Sequence, residues 1–157
     1  MVAMNEIELT IDGKKIRGKT GQTILQVAEE NGVHIPSLCY HPRLPISGAC
    51  RVCVVDVGRV DRLEAACSTP IMKNMNVTTN NERVIKSRRM IIELLFSQCD
   101  IDCLTCEVNS RCALQDLAHE YGIEADKLTF KPVSLQKPID DSSPVITYNS
   151  NKCVLCG

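Results

Sequence analysis

The sequence predicts an α+β fold, with a small strand-and-helix unit over residues 1–79 followed by a helical, cysteine-rich segment. Three observations carry this expectation. The N-terminus alternates apolar and polar residues around an Asp-Gly turn, the periodicity becomes helical after about Asn81, and ten cysteines in 157 residues fall into short, spaced groups. That length holds a compact domain and an appendage, not a large self-contained enzyme.

Residues 5–11 place Ile7, Leu9 and Ile11 on one face and Glu6, Glu8 and Thr10 on the other. Asp12-Gly13 supplies a hairpin turn into a short strand over residues 14–17. Thr20 to Thr23 offers capping residues for a helix whose apolar stripe is Ile24, Leu25, Val27 and Ala28, and Asn31-Gly32 stops it. Pro36 begins irregular chain. Residues 51–57 and 62–67 are expected as strands around a turn at Gly58, with residues 75–79 as a short last strand. From Asn81 a helix carries Val84, Ile85, Ile91, Ile92, Leu95 and Phe96 as its apolar face, and Arg83, Lys86, Arg88 and Arg89 are expected on solvated faces. Residues 99–112 form a cysteine-bearing loop, and a second helix starting around Cys112 packs Leu114, Leu117 and Ala118 against it. Pro132, Pro138 and Pro144, with Asp140-Asp141-Ser142-Ser143 between the last two, mark an extended linker.

With 18 Lys plus Arg against 19 Asp plus Glu, the net charge is -1, so the phosphate attraction that drives nucleic-acid binding has no source and no nucleic-acid partner is expected. Residues 1–10 have neither the basic start nor the apolar run of a signal peptide, and no segment approaches the roughly 18 apolar residues of a membrane span. The expected location is cytoplasmic, without membrane insertion. In a reducing compartment, cysteines at short fixed spacings point to metal ligation or redox chemistry.

The first group is Cys39-x10-Cys50-x2-Cys53-x13-Cys67. Four thiolates complete a two-iron cluster (2Fe-2S) at two per iron. The small residues Ser47-Gly48-Ala49 before Cys50 let the backbone approach closely and turn N–H groups toward cluster sulfides. A four-cysteine zinc site has the same ligand count and spacing does not exclude it, although iron-sulfur is favoured. The second group is Cys99-x3-Cys103-x2-Cys106-x5-Cys112, compact enough to wrap one inorganic core. Its spacing suits a four-iron cluster (4Fe-4S) or a structural zinc ion about equally. A helix starting near Cys112 would turn its N-terminal N–H groups toward the site and favour a net-negative cluster.

At this point the residues carry a resemblance. Leu38-Cys39-Tyr40-His41-Pro42, Gly48-Ala49-Cys50-Arg51-Val52-Cys53-Val54-Val55 and Ala66-Cys67-Ser68-Thr69-Pro70 resemble the two-iron domain at the head of a modular redox family. That family contains the large iron-sulfur subunit of NADH dehydrogenase (complex I), FeFe hydrogenases and NAD(P)-linked formate dehydrogenases. Asp102-Cys103-Leu104-Thr105-Cys106-Glu107 and Cys112-Ala113-Leu114-Gln115-Asp116-Leu117-Ala118 are similar to its next, four-iron module. Asn151-Lys152-Cys153-Val154-Leu155-Cys156-Gly157 is similar to the opening of a following bacterial-ferredoxin-type module.

The resemblance implies a β-grasp two-iron ferredoxin domain over residues 1–79 and a small helical four-iron domain over residues 80–130. A linker over residues 131–150 and the start of a truncated ferredoxin motif over residues 151–157 would follow. The implied partners are a flavin- and NAD-binding iron-sulfur subunit and a hydrogen-, formate- or quinone-linked catalytic redox subunit. The stretch from Leu114 to Gly122 leans toward the hydrogenase and formate dehydrogenase members. The chain departs from the family in two places. The family typically has histidine as first ligand of the four-iron module, where this chain has Cys99. The C-x2-C-x2-C-x3-C run stops after Cys153 and Cys156, which alone do not complete a further four-iron site, and a fragment of a longer polypeptide is the favoured explanation.

Among the remaining residues, His41 is expected to pack in its loop, and His34 and His119 to sit at the surface. Arg51 would orient a partner or pair with a carboxylate. No dinucleotide or phosphate-binding glycine motif occurs among the eight glycines, which places any nicotinamide or flavin site in another domain or subunit. Ser68-Thr69 is expected as a turn before Pro70, and no catalytic nucleophile is evident. The expected function is an electron-transfer component of an oxidoreductase complex, not an enzyme by itself. The alternatives are a zinc-stabilised docking module and an iron-sulfur redox sensor.

Overall fold

The computed structural model describes residues 6–130 and 137–154. The chain forms two compact units, one ending at Arg88 and the other starting at Arg89.

In the first unit, β1 (Glu6–Ile11) and β2 (Lys14–Lys19) pair antiparallel with Glu6 opposite Lys19 and Ile11 opposite Lys14. Asp12 and Gly13 both take positive φ, 48° and 80°, as a two-residue type I′ turn requires. β2 runs two residues beyond the expected Arg17, because Gly18 has no side chain to collide with the helix beneath it. A Cβ there would lie 2.6 Å from both Ile71 Cδ1 and Val27 Cγ2. α1 (Ile24–Glu30) starts at a capping box in which the Thr23 hydroxyl accepts from Gln26 N–H and the Gln26 side chain accepts from Thr23 N–H. Its Ile24, Leu25, Val27 and Ala28 are buried, as the stripe predicts, and Gly32 turns the chain away at φ 70°.

β5 (Asn76–Val77) pairs parallel to β1, giving a three-stranded sheet in the order β2-β1-β5. Asp12 ties this edge, its carboxylate accepting from Thr79 N–H at 2.7 Å and Thr79 Oγ1–H at 2.6 Å. A separate two-stranded ribbon joins β3 (Val54–Val55) to β4 (Glu64–Ala65), with Val54 opposite Ala65. Both strands are far shorter than expected. Arg51, at φ 62°, belongs to a loop, and regular pairing on the other strand stops at Ala65 before the turn that carries Cys67. The core joins Leu9, Ile11 and Ile16 of the hairpin to the buried face of α1 and to Val55, Val77, Cys53 and Cys67.

α2 (Glu82–Phe96) and α3 (Ala113–Glu120) follow. On α2, Val84, Ile92 and Phe96 are buried as expected, while Ile85 is exposed. Arg88 corrects the solvated-face expectation. It is 3% exposed, and its Nη2 donates to the Val54 carbonyl at 2.7 Å, beside Cys53. A guanidinium so placed satisfies a backbone acceptor while its stem fills apolar space. Arg88→Leu is expected to lower stability by about 2 kcal/mol, and Lys86→Leu on the exposed side to change it by less than about 0.5 kcal/mol, both read from denaturant unfolding.

In the second unit, Leu114, Leu117 and Ala118 of α3 are buried. Single 3-10 turns occur at Ala125–Lys127 and Ser150–Lys152. Part of the expected linker is closed on itself, since Asp140 and Tyr148 exchange backbone hydrogen bonds of 2.9 and 2.8 Å. Among the described residues no helix is long and apolar enough to cross a membrane.

Candidate metal centres

The first four cysteines come from three places in the fold. Cys39 follows the irregular chain after α1, with Ile35, Pro36 and Leu38 buried beside it in sequence. Cys50 and Cys53 flank the Arg51 turn that leads into β3. Cys67 sits where the chain leaves β4. The β3–β4 pairing and a 3.0 Å bond from Ala66 N–H to the Cys53 carbonyl hold Cys53 in register with Cys67. The N-terminus of α1 fixes the Cys67 turn from the other side, as Ile24 N–H donates to Thr69 and Leu25 N–H to Ala66, both at 3.0 Å. Two of the N–H groups a helix start leaves unpaired are thereby satisfied by the loop that carries a ligand candidate. Ser68 and Thr69 form the expected turn, with both amides donating to Ala65.

All four sulfurs are buried, with residue exposures of 8% or less. Gly48 at φ 61° and Arg51 at φ 62° curl the loop so that amides face inward, and Cys50 N–H donates to Cys39 Sγ at 3.4 Å. Burial works to raise the Cys39 thiol, but N–H groups of Cys50, Ala49 and Cys39 outweigh it and hold the pKa below the ordinary value. Burial raises Cys50 despite donors from Val52, Cys39 and Leu38. Cys67 is pushed up to about 12, first by burial and then by the sulfurs of Cys53, Cys39 and Cys50. Cys67 thus feels the charge of the other three sulfurs, and the Cys50 amide on Cys39 Sγ suits an anionic sulfide core.

The second four cysteines line one cavity in the other unit, together with Phe96, Leu114 and Val108. Cys99 follows the end of α2, its thiol donating to the Phe96 carbonyl at 3.2 Å. Tight turns carry the chain through Cys103 and Cys106, where Thr105 N–H donates to Asp102 at 2.9 Å and Asn109 N–H to Cys106 at 3.0 Å. Gln115 of α3 braces the returning loop by accepting from Ser110 N–H and donating to Asn109. Cys112 is the N-cap of α3 and makes no side-chain capping bond. Burial, and then the charges of Cys103 and Cys112, push Cys99 up to about 11, and burial followed by Cys112 and Cys106 raises Cys103. In the metal-free chain such thiols keep their protons near neutral pH, so loading a core releases them.

The nine described cysteines, from Cys39 to Cys153, are all free thiols. Among the described residues no three His, Cys, Asp or Glu side chains are arranged to hold a single metal ion. Cys153 is exposed, and Cys156 lies outside the described residues. His34, His41 and His119 are exposed, and His41 Nδ1 accepts from Arg43 N–H at 3.2 Å within its loop. Sequence reasoning missed two residues beside these sites, Arg88 and Lys152. Lys152 shares the cavity of the second group, and its position next to Cys153 carries no signal that the chain folds back there.

Two groups of four free thiols, with a backbone amide donating to a sulfur of the first, define the class as a protein with thiolate metal centres. Residues 4–82 match the family described as a 2Fe-2S iron-sulfur cluster binding domain, and residues 88–127 match the NADH-ubiquinone oxidoreductase-G iron-sulfur binding region. The chain is 37% identical over 153 residues to the mitochondrial NADH-ubiquinone oxidoreductase 78 kDa subunit of Candida albicans, covering 96% of this chain and 21% of that one. It is 35% identical over 151 residues to the NAD-reducing hydrogenase HoxS subunit gamma of Cupriavidus necator, covering 96% and 62%. A solved NAD+-reducing [NiFe]-hydrogenase in its H2-reduced state contains a chain that superposes with a TM-score of 0.87 at 36% identity, covering 96% of this chain and 63% of that one. This chain therefore spans only part of each relative. It belongs to the modular iron-sulfur family that includes the NADH dehydrogenase and hydrogenase subunits. Its cofactors are one 2Fe-2S and one 4Fe-4S cluster, which resolves the choice between iron and zinc that spacing left open.

Proposed function

We propose that the chain relays single electrons between a 2Fe-2S cluster on Cys39, Cys50, Cys53 and Cys67 and a 4Fe-4S cluster on Cys99, Cys103, Cys106 and Cys112. It serves as the electron-transfer part of an oxidoreductase complex and performs no substrate chemistry of its own. The observation that carries this reading is the gathering of each set of four thiols inside a region matched to the corresponding iron-sulfur family. When bound, each cluster supplies one-electron chemistry at iron. The protein's part is to hold the sulfurs, exclude water from the first site by burial, and aim amides that stabilise negative charge.

The β2-β1-β5 sheet with α1 against it supports a β-grasp arrangement for residues 1–79, with residues 80–130 as the four-iron module. The relatives' names support partners that carry nicotinamide chemistry on one side and hydrogen or quinone chemistry on the other. A cytoplasmic location fits an array of free thiols.

The test is EPR with spin counting on anaerobically purified chain, as isolated and after dithionite, alongside iron and zinc analysis. The expected result is one two-iron and one four-iron signal. An EPR-silent chain filled with zinc would overturn the reading.

A further inference from the structure

We propose that Lys152 sets the potential of the four-iron site, so that the segment leading into the last cysteine pair is built into the electrostatics of the site before it. This deepens the electron-relay reading and rests on Cys99, Cys103, Cys106 and Cys112 holding a cluster.

The segment is anchored at several points. Asp100 N–H donates to the Asn151 carbonyl at 3.0 Å, and the Asn151 side chain exchanges bonds with the Lys137 backbone at 2.9 and 3.0 Å. Asn149 Oδ1 accepts from Asn151 N–H at 3.0 Å and shapes the 3-10 turn that presents Lys152. Lys152 Nζ then reaches Asp102 Oδ2 at 2.7 Å, next to Cys103. Lys152 and Val154 line the same cavity as the four cysteines.

The charge balance of that cavity gives the pair its role. Its ionised lining side chains besides the cysteines are Asp100, Asp102 and Lys152, and Lys152 is the one cation among them. A cluster on four thiolates is net negative in its oxidised state, and reduction adds a further negative charge. Two carboxylates oppose that step and an ammonium favours it. Both side chains are partly exposed, at 38% and 40%, so solvent screens the effect without removing it.

The experiment is an EPR-monitored redox titration of the full chain, with iron counted per chain, for Lys152→Met, Asp102→Asn, the double variant and Lys152→Arg. At fixed poise, Lys152→Met is expected to lower the ratio of reduced to oxidised four-iron cluster about three- to tenfold, tenfold being 59 mV for one electron. Asp102→Asn should raise it by a similar factor, and the double variant and Lys152→Arg should stay near the parent. Opposite signs in the two single variants mark an electrostatic role, because a structural clamp broken from either side would shift both the same way. Shifts of one sign, or no shift in Lys152→Met at full iron content, would overturn the inference. If Lys152→Met loses its cluster, the shift in Asp102→Asn and its absence in Lys152→Arg decide. A parent chain with a two-iron signal alone would overturn the four-iron reading itself, before any variant is compared.

Discussion

Cys67→Ala is expected to abolish the two-iron signal and to lower the thermal midpoint of the cluster-loaded first unit by roughly 10 °C or more. Cys67 is 2% exposed and belongs to the same buried cluster as Leu25, Val55 and Ala66. Its turn accepts the first amides of α1, so the proposed ligand and the helix start are mechanically joined. In the metal-free chain the substitution trades a thiol for a hydrogen, a small loss of packing worth about 1 kcal/mol. In the loaded chain it removes one of the four proposed ligands, and with it the binding free energy that folding shares with cluster insertion. Calorimetry on loaded and metal-free forms separates the two contributions. A Cys67→Ala chain with a full two-iron signal would contradict the ligand assignment.

Cys99→His is expected to keep the four-iron cluster and raise its midpoint potential by about 100 mV or more. Cys99 stands on the turn that follows α2, lining the cavity alongside Cys103, Cys106 and Cys112. Imidazole is a neutral donor where thiolate is anionic, so the substitution removes one negative charge from the coordination sphere, and the reduced state gains most. Cys153→His is the matched control, because Cys153 is exposed and does not line that cavity. A redox titration of both variants gives the answer, and an unchanged potential in a fully loaded Cys99→His chain would remove Cys99 from the ligand set.

How far the sequence could be read depended on the range over which each cause acts. The β1–β2 hairpin, the capping of α1, the Asn31-Gly32 stop and the buried stripe of α3 follow from neighbours a few residues apart, and all were legible. The ribbon strands were overestimated because β-branched composition around Val54 and Val55 gives no warning that the loop carrying Cys50 and Cys53, with Arg51 at positive φ, consumes their ends. Arg88 was misplaced because its partner is a backbone carbonyl 34 residues earlier, and no periodicity encodes that contact. Spacing singled out both four-cysteine groups, and the structure buries the first four and sets the second four around one cavity. The choice of iron over zinc needed the family comparison, and Lys152 needed a fold-back of 50 residues onto Asp102.

The parallel pairing of β1 with β5 has a consequence for the order of assembly. β1 meets its first partner across a two-residue turn, so the hairpin can form early and locally. Its second partner lies at Asn76–Val77, and Cys39, Cys50, Cys53 and Cys67 all fall inside the long loop this pairing closes. Closing such a loop is entropically slow, and during synthesis it waits until Val77 has left the ribosome. Residues 99–112 also wait for a later partner, since Asp100 N–H donates to the Asn151 carbonyl and Lys152 and Val154 line the same cavity. A growing chain therefore leaves its first four thiols open until the strand at Asn76–Val77 arrives, and its second four until the segment around Lys152 does, so each centre is enclosed only after its own last cysteine has been made.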